Sequence, residues 1–150
     1  YKGGKIRAIG LCVFEKEELD KFSKDSDIKP MVNQILCHIS NTDFDLIDYC
    51  KQNEIVVEAY SPIAHGVLLE NKEIQTMAEK YNVSIPQLCI RYTLQLGLVS
   101  LPKTANPLHM KSNASVDFEI CEEDMKTLCE INKIHSYGEF MAFPCYSKQV

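Results

Sequence analysis

The sequence predicts an α/β protein built on parallel strands. Four short apolar runs recur along the chain, segments of helical period separate them, and 150 residues are enough for one ordinary domain with a real core. Strands that alternate with helices pair in parallel through right-handed crossovers.

The elements follow in order. KIRAIGLCVF (5–14), after Gly3-Gly4, reads as the first strand, and EKEELDKFSKD (15–25), with Leu19 and Phe22 three apart, as a surface helix. KPMVNQILCHI (29–39) is apolar and reads as a buried strand. DFDLIDYCKQN (43–53) places Phe44, Ile47 and Cys50 on one helical face, with Asp43 as N-cap. IVVEAYSP (55–62) is the third strand, stopped by Pro62, and AHGVLLEN is a short connection. NKEIQTMAEKYN (71–82) carries Ile74, Met77, Ala78 and Tyr81 at helical spacing. SIPQLCIRYTLQLG (84–97) starts on Ser84 and ends at Gly97 as the residue after the cap. LVSLPKT (98–104) is the fourth strand, NPLHMKSNASV (106–116) a helix with an Asn cap and Pro at its first position, and CEEDMKTLCEINK (121–133) the last helix. The tail IHSYGEFMAFPCYSKQV shows no period and reads as a loop. Four such strands make a small open sheet or half of an eight-stranded barrel, and periodicity does not separate the two.

Composition narrows the function. The 16 Lys+Arg against 21 Asp+Glu, a net charge of −5, argue against a general nucleic-acid binder. No apolar stretch approaches the roughly 20 residues of a membrane span, and YKGGKIRAIG lacks the apolar region of a signal peptide. The chain does not begin with Met, so a fragment is expected. Seven scattered cysteines without a CxxC pair suit reduced thiols, mostly buried, in a cytoplasmic protein. Cys37-His38 is a lone pair without a second at ligand spacing, so no metal site is expected.

The stretch LVSLPKTANPLHMKSN (98–113) holds the clearest site signal. A buried strand empties into Lys103 and Thr104, then into a helix N-terminus, whose free N–H groups and positive dipole end suit an anion.

GKIRAIG, KPMVNQILCH, IVVEAYSP, SIPQLCIRYTLQLGLVSLPKTANP and FEICEEDMKTLCEIN together resemble the aldo-keto reductases, in that family's order and spacing over nearly the whole chain. The resemblance implies a parallel half-barrel, the second half of a TIM-type (β/α)8 barrel with strands five to eight. Residues 1–150 would be a single NADP-dependent oxidoreductase domain, incomplete because its N-terminal half is absent. The implied activity is NADPH-dependent reduction of aldehydes and ketones, with a nicotinamide dinucleotide and a carbonyl compound as partners, and with neither nucleic acid nor membrane.

The resemblance also implies roles for residues. Lys103 and Thr104 match the pair that holds the 2′-phosphate of NADP, and Asn113 matches an adenine contact. Gln34 matches the residue that bonds the nicotinamide carboxamide, Tyr60 the ring that stacks on the nicotinamide, and Ser61 a pyrophosphate contact. His109 stands where the family usually has an Arg on the phosphate, and a mostly neutral imidazole is expected to weaken that grip. GLCVF stands where the family reads G-V-S-N-F, so Cys12 and Val13 replace two carboxamide ligands. The family's catalytic Tyr, Lys, Asp and His belong to the other half, and no catalytic residue is expected here; Tyr49, Tyr81, Tyr92 and His38 lie outside its motif. The segment is therefore expected to lack activity alone. The alternative is a non-enzymatic binding or regulatory protein derived from such a reductase. A half-barrel exposes two sheet edges and an apolar inner layer, which predicts self-association or docking of a complementary half.

Overall fold

The computed structural model describes residues 1–147. Its order is β1 (Gly10–Cys12), α1 (Lys16–Asp25), β2 (Val32–Leu36), α2 (Phe44–Gln52), β3 (Val56–Tyr60), a 3-10 segment (Ala64–Glu70), α3 (Lys72–Lys80), α4 (Ile85–Gln95), β4 (Val99–Leu101), α5 (Pro107–Ala114), α6 (Glu122–Cys129), a second 3-10 segment (Gly138–Ala142) and α7 (Pro144–Ser147). The four strands form one parallel sheet in the order β1-β2-β3-β4. Register is set at Gly10 opposite Val32, Leu11 opposite Asn33 and Cys12 opposite Gln34. Two compact units contain these elements, and the division passes through β2 and β3. One holds Tyr1–Ile35 and Asp43–Glu58; the other holds Leu36–Thr42 and the chain from Ala59 on.

In the first unit the strand expected over 5–14 contracts to Gly10–Cys12. Residues 1–8 are exposed, so nothing apolar holds them in the sheet. α1 begins where the Glu15 N–H donates to the Glu18 carboxylate at 2.9 Å, and it buries Leu19. α2 begins on Asp43, whose Oδ1 accepts from the Leu46 N–H at 2.9 Å, which satisfies one of the first-turn donors. Its buried face is Leu46, Ile47 and Cys50; Phe44, expected on that face, is 41% exposed because it sits in the first turn. Asn33 is fully buried in β2 and satisfied by Phe14, donating Nδ2 to its carbonyl at 2.9 Å.

The sheet face of this unit that bears Cys12, Val32, Gln34, Val56 and Glu58 differs from the apolar layer expected. Gln34 donates Nε2 to the Glu58 carboxylate at 3.0 Å and faces Cys12 Sγ at 3.9 Å, so a polar row crosses the face next to Val32 and the 49%-exposed Val56.

The second unit holds the main apolar cluster, in which Leu36, Ile39, Leu68, Ile74, Leu88, Tyr92, Ile120 and Leu128 are buried. α4 starts at a capping box. Ser84 Oγ accepts from the Gln87 N–H, and Gln87 Oε1 accepts from the Ser84 N–H at 2.9 Å. Gly97 follows the end of α4 at φ +82°, a left-handed conformation that glycine adopts without cost. α6 stops at Cys129, short of the expected 133.

Two connections read as loops have structure. AHGVLLEN forms the 3-10 segment Ala64–Glu70, kinked at His65 (φ 54°) and Gly66 (φ 93°). The tail forms the second 3-10 segment and α7, and it buries Tyr137 and Tyr146 to 1% and 7% exposure. Residues 148–150 of that tail lie outside the described residues.

Candidate functional site

Of the sequence-predicted residues, Tyr60, Ser61, Lys103 and Thr104 sit where strands end, Gln34 lies within β2, and His109 and Asn113 lie on α5. β3 delivers Tyr60 and Ser61 to the turn at Pro62, and β4 delivers Leu101 to Pro102, Lys103 and Thr104. The turn after β4 is built locally. Thr104 Oγ1 accepts from the Asn106 N–H at 3.1 Å, and Asn106 Oδ1 accepts from the Leu108 N–H at 2.9 Å. Asn106 is thus the cap expected for α5, with Pro107 at its first position.

α5 buries none of its residues. Gln87 and Arg91 of α4 hold its far end by donating to the carbonyls of Ser115 (2.7 Å) and Val116 (3.3 Å). His109 and Asn113 stand four apart and share a face of this helix. His109 is exposed and Asn113 half-buried. Lys103 is exposed and makes no ion pair among the described residues.

Within the second unit, a cleft of about 300 Å³ lies between the two strand ends. Ser61, His65 and Gly66 line one side, and Leu101 and Lys103 the other. The structure thus brings Ser61 and Lys103 to one cleft. Gln34 belongs to the first unit, where Glu58 and Cys12 occupy its amide.

The chain from Ser61 to Gly66 is strained. Ser61, Ala64 and His65 take φ values of 52°, 48° and 54°, a region costly for residues with a Cβ. Ser61 Oγ lies 2.9 Å from the Tyr146 hydroxyl and 3.3 Å from His65 Nε2, and the last two are 2.6 Å apart. Tyr60 donates its hydroxyl to the Cys145 carbonyl at 3.3 Å. Loss of solvent around the ring lowers the pKa of His65. Fully buried His38 is pushed down to about 3, by burial first and by the proximity of His65 second.

His65, Tyr137 and Tyr146 were not expected from the sequence. A signal for the tail was present: Tyr137, Phe140, Phe143 and Tyr146 recur every three residues, the period of a 3-10 turn. Its three-residue step lies outside the 3.6 and 2.0 periods that mark helices and strands.

Parallel α/β sheets bind ligands in the loops beyond the carboxyl ends of their strands, and the Ser61–Lys103 cleft occupies that place. A family model described as the Aldo/keto reductase family matches residues 1–133, and the chain belongs to this family. A glyoxal reductase of Bacillus subtilis (strain 168) is 43% identical over 139 residues, covering 92% of this chain and 50% of the relative. An aldo-keto reductase from a Medee basin deep-sea metagenome library is 37% identical with a TM-score of 0.84, covering 91% of this chain and 53% of that one. A Bombyx mori aldo-keto reductase in complex with NADP is 27% identical with a TM-score of 0.83, covering 97% and 52%. The chain thus spans about half the length of the relatives it matches. Among the described residues no helix is long and apolar enough to cross a membrane.

Proposed function

We propose that this chain is the cofactor-side part of an NADPH-dependent aldehyde or ketone reductase. Residues 1–150 would form part of one such domain, corresponding to strands five to eight of the barrel. The observation that carries the reading is the shared cleft of Ser61 and Lys103, two residues 42 positions apart that the family resemblance matches to the pyrophosphate and the 2′-phosphate contacts. The fit at the phosphate end is chemical: an exposed ammonium, a threonine hydroxyl and a capped helix start follow one another.

In this reading Lys103 and Thr104 hold the 2′-phosphate, with His109 beside them. Asn113 contacts the adenine, Ser61 the pyrophosphate, Tyr60 the nicotinamide ring and Gln34 its carboxamide. The bound cofactor supplies a hydride to a carbonyl carbon. No residue of this chain stands in the family's motif for the proton donor, so the 150 residues alone are proposed to lack turnover. That gap also supports the second-half assignment, since a first-half segment would carry the Tyr, Lys, Asp and His. Among the described residues no disulfide joins the seven cysteines, which suits a reducing compartment, and the cytoplasm is the proposed location.

The test has two parts. Titration with NADPH and with 2′-phospho-AMP should shift amides of residues 103–113, and Lys103→Ala should abolish the 2′-phospho-AMP shifts; unchanged binding refutes the site. The chain should then be mixed with either half of the Bacillus subtilis glyoxal reductase and assayed for NADPH oxidation. Activity with its N-terminal half supports the assignment, and activity only with its C-terminal half reverses it.

A further inference from the structure

The C-terminal segment is held at two points of the second unit. At the near point the Tyr137 hydroxyl lies 3.0 Å from His38 Nε2, with both rings buried. Gly138 follows at φ +60°, with open space where a Cβ would stand. At the far point Phe140 stacks on His65, ring centroids 3.7 Å apart, and the Tyr146 hydroxyl bonds both His65 and Ser61. The Cys145 carbonyl takes the Tyr60 hydroxyl. The segment therefore occupies the polar atoms of Tyr60 and Ser61 at the edge of the Lys103 cleft.

We propose that residues 137–146 are a strap, hinged at Gly138 and latched by Tyr146 on Ser61 and His65, that must unlatch before a dinucleotide reaches Tyr60 and Ser61. The ligand half of this proposal rests on the cofactor reading above; the latch itself rests on the contacts alone. A serine hydroxyl has one proton to donate. A phosphate oxygen only accepts, so it needs that proton and the space beside Ser61 Oγ, where the Tyr146 hydroxyl (2.9 Å) and His65 Nε2 (3.3 Å) now stand. Tyr137 is the fixed end, because its ring and its histidine partner are both buried. The far end is the less buried of the two: His65 and Phe143 are exposed and Phe140 is half-buried, while Tyr146 itself is buried against the Tyr60 and Tyr137 rings. Unlatching gives up a stack, the burial of the Tyr146 ring and a few part-buried hydrogen bonds, each bond modest in net worth, and the left-handed backbone at Ser61, Ala64 and His65 stores strain that a rearrangement can release.

A ligand that competes with a closed strap binds more weakly by the fraction of chains that are open. Removing one latch hydrogen bond should therefore tighten binding by about tenfold. The experiment is hydrogen-exchange mass spectrometry on the 150-residue chain, alone, with NADPH and with 2′-phospho-AMP, repeated on Tyr146→Phe and on the exposed-site variant His65→Ala. NADPH should slow exchange at 103–113 and speed it at 138–146. 2′-Phospho-AMP, which lacks the diphosphate and the nicotinamide, should slow 103–113 and leave 138–146 unchanged. Both variants should exchange faster at 138–146 without ligand and should bind NADPH more tightly. Slower exchange at 138–146 on NADPH binding would overturn the proposal, because the strap would then close over the ligand. Variants that bind NADPH no more tightly than the parent would overturn it as well. No NADPH effect at 103–113 would sink the cofactor reading, and displacement with it. The unliganded variants then judge the latch alone: faster exchange supports it and unchanged exchange refutes it.

Discussion

His38 and Tyr137, 99 residues apart, meet through a 3.0 Å hydrogen bond in the interior, and neither is more than 1% exposed. Burial keeps the imidazole neutral, with a pKa near 3 against 6.5 for the free side chain. In the unfolded chain His38 takes up a proton as pH falls through 6.5; in the folded chain it does not until near pH 3. The unfolded state thus binds more protons in this window, and stability falls as pH drops from 6.5 toward 3, at up to roughly 1.4 kcal/mol per pH unit. Urea unfolding at pH 7 and pH 5 measures this slope. His38→Gln should flatten it, and an equal slope in the variant would assign the loss to other groups.

Val13 sits at φ +60°, a genuine outlier for a β-branched residue, held there by its N–H bond to the Gln34 carbonyl at 2.8 Å. Asparagine and glycine tolerate this region. Val13→Asn and Val13→Gly should each raise stability by about 1 kcal/mol, or about 2–4 °C in melting temperature for a chain of this length. The asparagine also restores a polar group beside Gln34, so Val13→Asn alone should tighten NADPH. A lower melting temperature in both variants would show that the strain is not relieved.

Lys103 is proposed to meet the 2′-phosphate, which NADP carries and NAD lacks. A hydrogen bond to a charged group contributes about 1.5–3 kcal/mol, so Lys103→Ala should weaken NADPH by roughly ten- to a hundredfold and NADH hardly at all. His109→Arg should act in the opposite sense on NADPH only. Fluorescence titration with both nucleotides measures the ratio, and equal losses for the two would place Lys103 elsewhere on the ligand.

The sheet face with Val32 and the 49%-exposed Val56 supports a prediction about association. An exposed valine beside Val32 favours weak self-association only, because the Gln34–Glu58 row makes much of the face polar. Light scattering of the parent chain should show concentration-dependent dimers or larger species, and Val56→Lys should shift them toward monomer. A parent chain that stays monomeric at high concentration would remove this face from consideration.

The sequence alone determined the order of strands and helices, the parallel sheet and most helix starts. Those features are local: Asp43, Asn71, Ser84 and Asn106 each cap the turn that follows within three residues, and apolar periodicity marks the faces. The short motifs around Lys103 and Ser61 were legible for the same reason. Tertiary structure decided the rest. Whether residues 5–8 join a strand depends on a packing partner they do not find. Whether the tail is a loop depends on His38 and His65, whose contacts with Tyr137 and Tyr146 close across 99 and 81 residues. No local period encodes such pairs, because their free energy comes from burial and hydrogen bonds that exist only once the chain has folded.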